Sequence, residues 1–540
     1  MKQHWNTRLH RAGVVCLLLA ACGPAFAADD PPRPNIVLIM ADDMGYSDIG
    51  SYGGEIDTPN LDALAAGGLR FTQFYNNAKC APTRASLLTG LYSQQVGVVN
   101  GPERMRNSAT LAEVLKPAGY RTLMVGKWHA EELPVERGFD RYFGLADGCA
   151  NFFNPGVRRE GEAQPAEKNY PRKWADGLEV MRPFTPSDPD FYATDAFTDH
   201  ALDYLNEVRD EPFFLYVAYT APHYPLQALP EDIAKYRGKY LKGWDALREE
   251  RYARMIDMGI VDAKWPLSPR DDRVPAWEDV EDVEKWDLAG LKGNKPDGVT
   301  AQEAVNRDSW DLKMAVYAAM VDRMDQNIGR IVEKIEAMGQ KDNTLILFLS
   351  DNGGCAEIRH QTQDVPPGAV DSYRTVDPPW ANVQNTPFRQ YKRWNHEGGT
   401  ATPLIAHWPK VIAANALTHQ PGHIIDVMAT VMDLSGATYP ATRAHEVVPS
   451  LEGKSLLPIL RGEVREAHER IYWQFTDCKA VREGDWKLVQ AGGAKWELYN
   501  LAADRTELND LTAQHPDRVA AMAAAWDAWS ERVSRAPEDR

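Results

Sequence analysis

Two continuous apolar runs, each followed by acidic or amide side chains, constrain the fold of this chain most strongly. Residues 34–40 (PNIVLIM) precede Asp42 and Asp43, and residues 344–350 (TLILFLS) precede Asp351 and Asn352. Runs that are apolar at every position, rather than at every second one, are typical of strands buried on both faces. Both runs are therefore predicted to lie inside a sheet that is covered on each side.

Further strand candidates alternate with helical patterns along the chain. Strands are predicted at 121–125 and 212–219, and helices are predicted to begin at residue 58 and to cover 314–338. This alternation predicts an α/β fold with a large, mostly parallel sheet sandwiched by helices. Sites in such sheets form beyond the carboxyl ends of the strands, so the polar residues that follow the strands are expected to meet.

The chain is predicted to divide into three regions. They are a signal peptide over residues 1–27, a catalytic domain over 28–465 and a C-terminal subdomain over 466–540. An insertion at about 229–306 is rich in charge, Pro and Trp and has weak periodicity. From 466 onward, short strand patterns separated by turns precede a helical one, which predicts a small antiparallel sheet with a terminal helix.

The N-terminal segment indicates export to the periplasm or the medium. Basic residues precede an apolar run over 12–21 that is too short to span a bilayer in a mature chain. Cleavage after Ala27 would release a soluble protein, whereas the LAAC sequence ending at Cys22 resembles a lipobox and would leave a lipid anchor. Release is favoured because the AFA site adjoins a polar leader. No transmembrane span is expected, and the net charge of −17 disfavours nucleic acid as a partner.

Four oxygen donors at two predicted strand ends indicate a metal site. Hard divalent cations prefer carboxylate and amide oxygens, which makes calcium the first candidate and magnesium the second. Either pair alone would suit a turn or a helix cap. Both pairs together, with Cys80 in a third loop, favour a metal held by Asp42, Asp43, Asp351 and Asn352.

Cationic and imidazole groups follow the other strands and suit a sulfate ester. Lys127 and His129 are two residues apart, so an extended backbone would direct both into one cleft. His223 lies between two prolines, and Lys392 precedes the sequence WNHEGG. Such cations, with Arg84, can neutralise sulfuryl oxygens, and histidine can protonate a leaving alkoxide. Taken alone, Lys127 and His129 would suit an exposed lysine and a surface histidine at least as well.

Residues 80–84 read CAPTR and resemble the signature at which sulfatases oxidise cysteine to formylglycine, also called 3-oxoalanine. Alone, the run also suits a half-buried cysteine before a proline-containing helix. With the other motifs, the chain resembles the type I sulfatases of the alkaline phosphatase superfamily, and bacterial arylsulfatases in particular. The matching stretches are 35–45, 58–62, 80–90, 126–129, 221–227, 350–354, 391–399 and 496–501.

The resemblance implies a hydrolase of sulfate monoesters with an alkaline phosphatase-like fold. Formylglycine made from Cys80 by a maturation enzyme would lie close to calcium, and its hydrate would be the nucleophile. Arg84 would hold residue 80, while Lys127, Lys392 and His223 would contact the substrate. The resemblance further implies that Asp351 is the base, that His223 is the acid for the leaving alcohol, and that His129 accepts a proton from the second hydroxyl of the hydrate.

The substrate is expected to be a small sulfate ester or a sulfated sugar, with specificity set by the insertion and by residues 147–155. One alternative is a phosphonate or phosphate monoesterase of the same superfamily. Another is a catalytically silent, calcium-binding exported protein, which the intact Cys80 and Arg84 argue against. Ala130 and Glu131 stand where relatives often have Leu-Gly, which affects the expected loop geometry. If Cys80 is consumed, at most one disulfide can form among Cys149, Cys355 and Cys478.

Overall fold

The computed structural model describes Met1 and residues 33–167, 170–208, 210–293, 298–362 and 364–535. The signal peptide beyond Met1 and the alternative lipid-anchor site at Cys22 lie outside these residues. Within the described part of the chain, no helix combines the length and the apolar composition needed to cross a membrane.

The core is one sheet of eleven strands. The strands are β1 Asn35–Ala41, β2 Leu69–Tyr75, β3 Arg121–Gly126, β4 Arg141–Leu145, β5 Trp174–Asp176, β6 Glu179–Met181, β7 Phe213–Ala218, β8 Thr344–Ser350, β9 Ala401–His407, β10 Ala416–Thr418 and β11 Gly422–His423. Their order is β10-β2-β9-β8-β1-β7-β3-β4-β5-β6, and β11 also pairs with β2. Strands β8, β1, β7, β3 and β4 run parallel, whereas β9 is antiparallel to both of its neighbours.

Helices cover both faces of this sheet, as predicted. The α-helices are α1 Pro59–Ala66, α2 Cys80–Thr89, α3 Leu111–Leu115, α4 Ala193–Glu207, α5 Pro230–Ala234, α6 Trp244–Asp257, α7 Ala301–Ala304, α8 Arg307–Ala337, α9 Asp377–Gln384, α10 Glu397–Thr400, α11 Asp426–Ser435, α12 Leu457–Leu460 and α13 Pro516–Ser534. Short 3-10 helices lie at Gly50–Tyr52, Lys116–Ala118, Pro134–Arg137, Lys239–Lys242, Trp277–Asp279, Val283–Lys285 and Lys341–Asn343.

The first apolar run shows why the sheet is buried on both sides. Val37 and Ile39 on β1 belong to one hydrophobic core, which also contains residues of α4 and α8. Leu38 and Met40 belong to a second core, shared with residues of α2 and α11. Successive side chains of a strand point to opposite faces, so a continuous apolar run fills two cores at once.

The long predicted helix begins earlier than its apolar pattern indicated. α8 starts at Arg307 because the side chain of Asn306 accepts hydrogen bonds from the backbone N–H groups of Asp308 and Ser309. Such a cap satisfies donors that have no partner within the helix. Since the first turn is charged, the apolar periodicity could not mark this end.

The C-terminal elements agree with the predicted small antiparallel sheet and terminal helix. Strands β14 Ile471–Phe475, β15 Cys478–Glu483, β16 Trp486–Gln490 and β17 Trp496–Asn500 pair in sequence, and a separate two-stranded ribbon joins β12 Thr442–Arg443 to β13 Glu446–Val447. Helix α13 packs Trp526 and Trp529 with Val481 and Leu488 of this sheet in a third hydrophobic cluster. The α/β fold class and the added antiparallel sheet are therefore confirmed.

Candidate active site

Strand pairing brings the acids to one end of the sheet. β1 and β8 are parallel neighbours in which Ala41 lies opposite Ser350, so Asp42 and Asp351 follow at the same level. The backbone N–H of Asp43 donates to Asp351 Oδ1 at 3.2 Å, and Asn352 Nδ2 donates to Asp43 Oδ1 at 2.7 Å. These four side chains are buried and form one group of oxygen donors.

This group fits a divalent cation. Asp42 Oδ1 and Asn352 Oδ1 are buried and have no hydrogen-bond partner within the described residues. A buried oxygen without a partner is costly, and a hard cation is the ligand that such oxygens prefer. One ligand atom each of Asp42, Cys80 and Asp351 lies within 4.8 Å of the other two, and the same holds for Asp42, Asp43 and His223.

Cys80 is the first residue of α2 and directly follows the loop that begins after β2. Its side chain is buried. The turn before the helix is held by Asn77, whose backbone N–H donates to Thr83 Oγ1 at 3.0 Å and whose Nδ2 donates to Ser86 Oγ at 2.7 Å. These bonds fix the position of Cys80 beside the acids.

Arg84 lies one helical turn after Cys80 and bridges two strand ends. Its Nε and Nη2 donate to Asp351 Oδ2, and its Nη1 donates to the carbonyl oxygen of Lys127 at 3.0 Å. Burial and the nearby charge of Asp42 raise the pKa of Asp351 to about 6, although Arg84 opposes this shift. At neutral pH Asp351 is therefore a carboxylate that is unusually ready to accept a proton.

The two predicted lysines lie in the same cluster. Lys127 Nζ donates to Asp42 Oδ2 at 2.6 Å, and Lys392 Nζ contacts Asp43 Oδ1 at 2.6 Å. Burial would lower the pKa of each lysine, but the paired carboxylate outweighs it and raises the pKa. Burial likewise works to raise the pKa of Asp43, but the charge of Lys392 and the hydrogen bond from Asn352 hold it well below its usual range.

His129 reaches the site with a backbone that differs from the predicted one. Its φ is 63°, so the segment is left-handed at this residue and the extended geometry expected for residues 127–129 is wrong there. Trp128, which lies between Lys127 and His129 in the chain, is buried. His129 Nδ1 is buried without a hydrogen-bond partner in the described ranges. Burial, Lys127 and Arg84 lower the pKa of His129 well below its usual value, so the ring is neutral at pH 7.

His223 is oriented by its own loop. Its Nδ1 lies 2.6 Å from the carbonyl oxygen of Tyr224, which fixes the proton on Nδ1, and its Nε2 lies 3.4 Å from Asp43 Oδ2. Burial lowers the pKa of His223 to about 3, while Asp43 opposes the shift. The imidazole thus presents Nε2 to the acid cluster and to Lys392.

The ten predicted site residues therefore lie in one cluster, in which all except the half-buried His129 are buried. Residues that had no signal in the sequence support it. Besides Asn77, Glu357 accepts from Lys79 Nζ and from Tyr224 Oη, both at 3.1 Å, and so connects the loops that carry Cys80 and His223. No strand-end position or motif marks Glu357, because its partners come from distant parts of the chain.

The sulfatase family model matches residues 34–437. The chain belongs to the sulfatase family. It is a type I sulfatase of the alkaline phosphatase superfamily and a sulfuric ester hydrolase. A second model, described as N-sulphoglucosamine sulphohydrolase, C-terminal, matches residues 388–525.

Curated relatives match this sulfatase over most of its length. An uncharacterized sulfatase of Schizosaccharomyces pombe is 30% identical, with 94% of this chain and 95% of the relative covered. The arylsulfatase of Klebsiella aerogenes is 32% identical, with 84% and 97% covered. The N-acetylglucosamine-6-O-sulfatase of Bacteroides thetaiotaomicron is 26% identical, with 92% and 86% covered.

Solved structures agree in fold. The crystal structure of Ps i-CgsB in complex with k-i-k-neocarrahexaose has a TM-score of 0.64 to this sulfatase at 26% identity, with 92% of this chain and 93% of that chain covered. A phosphonate monoester hydrolase of Agrobacterium radiobacter has a TM-score of 0.58 at 20% identity, with 93% and 96% covered. The latter identity supports the shared fold alone.

Proposed function

We propose that this sulfatase hydrolyses sulfate monoesters with a formylglycine derived from Cys80 and with calcium. The observation that carries the proposal is the buried cluster of Cys80, Asp42 and Asp351, whose ligand atoms lie within 4.8 Å of one another. The unpartnered oxygens Asp42 Oδ1 and Asn352 Oδ1 support a cation at that place.

Calcium would be held by Asp42, Asp43, Asp351 and Asn352, next to residue 80. When bound, it supplies Lewis acidity that polarises a sulfuryl oxygen, and the hydrated aldehyde of formylglycine supplies a nucleophilic hydroxyl. Magnesium is a weaker candidate because it demands a stricter octahedral geometry.

The cations of the chain would bind and orient the ester. Lys127 and Lys392 contact different acids of the cluster, so their ammonium groups would hold the anionic sulfuryl oxygens between them. Arg84 would position residue 80, since it connects α2 to Asp351 and to the backbone of Lys127.

Three side chains would move protons. Asp351, whose side chain lies beside residue 80 in the cluster, would accept the proton of the attacking hydroxyl of residue 80. His223 Nε2 would donate to the leaving alkoxide, because the negative ester raises the pKa of the imidazole beside it. His129, which is neutral and has an unpartnered Nδ1, would take the proton of the second hydroxyl.

The relatives support a substrate class for this activity, and the N-terminal segment supports export of the protein. The similar proteins are named as an arylsulfatase and as an N-acetylglucosamine-6-O-sulfatase, so a small sulfate ester or a sulfated sugar is the proposed substrate class. The proposed organisation is a signal peptide over 1–27, a catalytic domain over 28–465 and a C-terminal subdomain over 466–540. Export after modification by a formylglycine-generating enzyme would complete maturation.

Mass spectrometry of the peptide that contains Cys80, together with kinetics, tests this proposal. Replacement of the thiol by an aldehyde lowers the mass by about 18 Da, and the modified fraction should track activity on 4-nitrophenyl sulfate. Cys80→Ala should be inactive. Full activity with an unmodified thiol would refute the nucleophile, and a higher kcat/KM for phosphonate or phosphate monoesters would refute the substrate class.

A further inference from the structure

A cavity of about 750 Å³ opens beside the proposed active site. Lys392 lies in its wall, which also contains residues 269–273 of the insertion, 389–394 of the loop before α10, and 476–478 and 492 of the C-terminal sheet. Cavities of about 300–1,000 Å³ bury whole organic ligands, which is far more than a sulfuryl group requires. The part of the substrate beyond the sulfate can therefore occupy this cavity.

Most charges of the wall are already neutralised by a partner. The pairs are Arg270 with Asp245 at 2.5 Å, Arg273 with Asp271 at 2.5 Å, Arg389 with Glu497 at 3.5 Å, and Glu357 with Lys79 at 3.1 Å. The lining also contains two exposed acids, Asp272 and Asp477. The wall of the cavity is thus not uniformly basic. An anionic group of a ligand would be attracted only by a cation of the wall that has no acidic partner.

Arg393 is such a cation. Its side chain is exposed in the wall of the cavity, and its guanidinium makes no hydrogen bond or salt bridge to any residue that the structure describes. An arginine presents five donors in a planar fork that matches sulfate or carboxylate oxygens. The neighbouring Lys392 contacts Asp43 in the acid cluster. Of these two successive cations, Lys392 therefore binds within the cluster and Arg393 lies in the wall of the cavity.

The backbone of Arg393 is fixed close to the nucleophile. Its φ is 81°, a left-handed conformation that is unfavourable for a residue other than glycine. Its N–H donates to the carbonyl oxygen of Ala78 at 2.7 Å, and Ala78, two residues before Cys80, is also left-handed with a φ of 58°. This contact holds the unpaired cation at a defined place relative to residue 80.

An aromatic side chain follows in the same wall. Trp394 is half-buried and lines the cavity. The indole provides a flat apolar face with one polar edge, which suits the C–H face of a pyranose ring. A sugar ring with an anionic substituent could therefore pack on Trp394 while its substituent binds Arg393.

We infer that Arg393 is a specificity residue that binds a second oxyanion, a sulfate or carboxylate, on the sugar that carries the scissile sulfate. The substrate class is thereby narrowed to sulfated sugars with at least two anionic groups. This inference rests on the proposed function, because it takes the ester to bind at Lys127 and Lys392.

Calorimetric titration of the full chain tests the inference. Cys80→Ala prevents turnover, and the probes are N-acetylglucosamine 6-sulfate, glucosamine 2-N,6-O-disulfate and the 6-sulfated sugar linked to glucuronic acid. The dianionic probes should bind more tightly than the monoanionic one. Adding Arg393→Gln should weaken dianionic binding about tenfold or more and monoanionic binding much less, because a charge-assisted hydrogen bond is lost.

Arg461→Gln is the matched control, since Arg461 is exposed and does not line the cavity. Arg393→Lys should restore part of the preference. Of the two dianionic probes, the one that loses more affinity in Arg393→Gln shows whether the second oxyanion is a sulfate or a carboxylate. Equal binding of mono- and dianionic probes, or equal losses in Arg393→Gln, would overturn the inference. Absence of 4-nitrophenyl sulfate hydrolysis by the protein with intact Cys80 would instead refute the proposed function.

Discussion

Arg84 donates two hydrogen bonds to one oxygen of Asp351, from Nε at 3.1 Å and from Nη2 at 2.8 Å. Both side chains are buried. Through this pair, helix α2, which begins at Cys80, is joined to the end of β8. The pair therefore fixes the position of residue 80, the proposed nucleophile, relative to Asp351, the proposed base. This positioning depends on the branched shape of the guanidinium.

Replacing Arg84 with Lys should reduce kcat on the order of 10²-fold, because lysine keeps the charge but cannot contact Asp351 twice and the Lys127 carbonyl at the same time. Steady-state kinetics on 4-nitrophenyl sulfate would measure the loss, and the thermal midpoint would report on folding. Arg461→Lys on the surface serves as control. A kcat equal to that of the parent protein would contradict the positioning role.

The strand ends of the site could be predicted from the sequence because one physical rule governs them. Strands buried on both faces are continuously apolar, and parallel neighbours place the next polar residues together, as for Asp42 and Asp351. The left-handed backbone of His129 could not be predicted, because period-two reasoning assumes an extended chain. The roles of Asn77 and Glu357 depend on loop packing, which no local pattern encodes.

If calcium is the metal, as proposed, its removal should destabilise the protein as well as inactivate it. A ligand that binds the folded state alone stabilises it by about 2.7 kcal/mol at a concentration of 100 Kd. Chelation should lower the thermal midpoint, and calcium should restore it. Asp351→Ala should abolish both the calcium stoichiometry and activity, because Asp351 is a proposed ligand and base. A zinc stoichiometry in elemental analysis, with calcium without effect, would exclude this metal assignment.

The stability of the protein should fall in mildly acidic solution partly because of His423. Burial lowers the pKa of His423 from its ordinary 6.5 to about 3, although Asp426 opposes the shift. Between these values the unfolded chain binds the proton and the folded protein does not. The free energy of unfolding therefore decreases as pH falls below 6.5, by up to about 1.4 kcal/mol per pH unit.

Urea unfolding of the parent protein and of His423→Asn at pH 7.5 and 5.5 would measure this contribution. Asparagine does not titrate, and its Oδ1 can replace Nδ1 as acceptor for the N–H of Ile425. The difference in unfolding free energy between the two pH values should be smaller in the variant. The same difference in both proteins would mean that His423 does not contribute to the acid sensitivity.

The proposed role of His223 as general acid can be tested by the dependence of the rate on the leaving group. His223→Ala should cost on the order of 10²–10⁴ in kcat on an alkyl sulfate, whose alkoxide needs a proton as it departs. On 4-nitrophenyl sulfate the loss should be much smaller, because the nitrophenolate is stable without protonation. Asp43 and Lys392, which lie beside His223, are unchanged in the variant. A difference between the two substrates therefore reflects the leaving group and not a different site. Equal losses on both esters would assign the proton transfer to Lys392 instead.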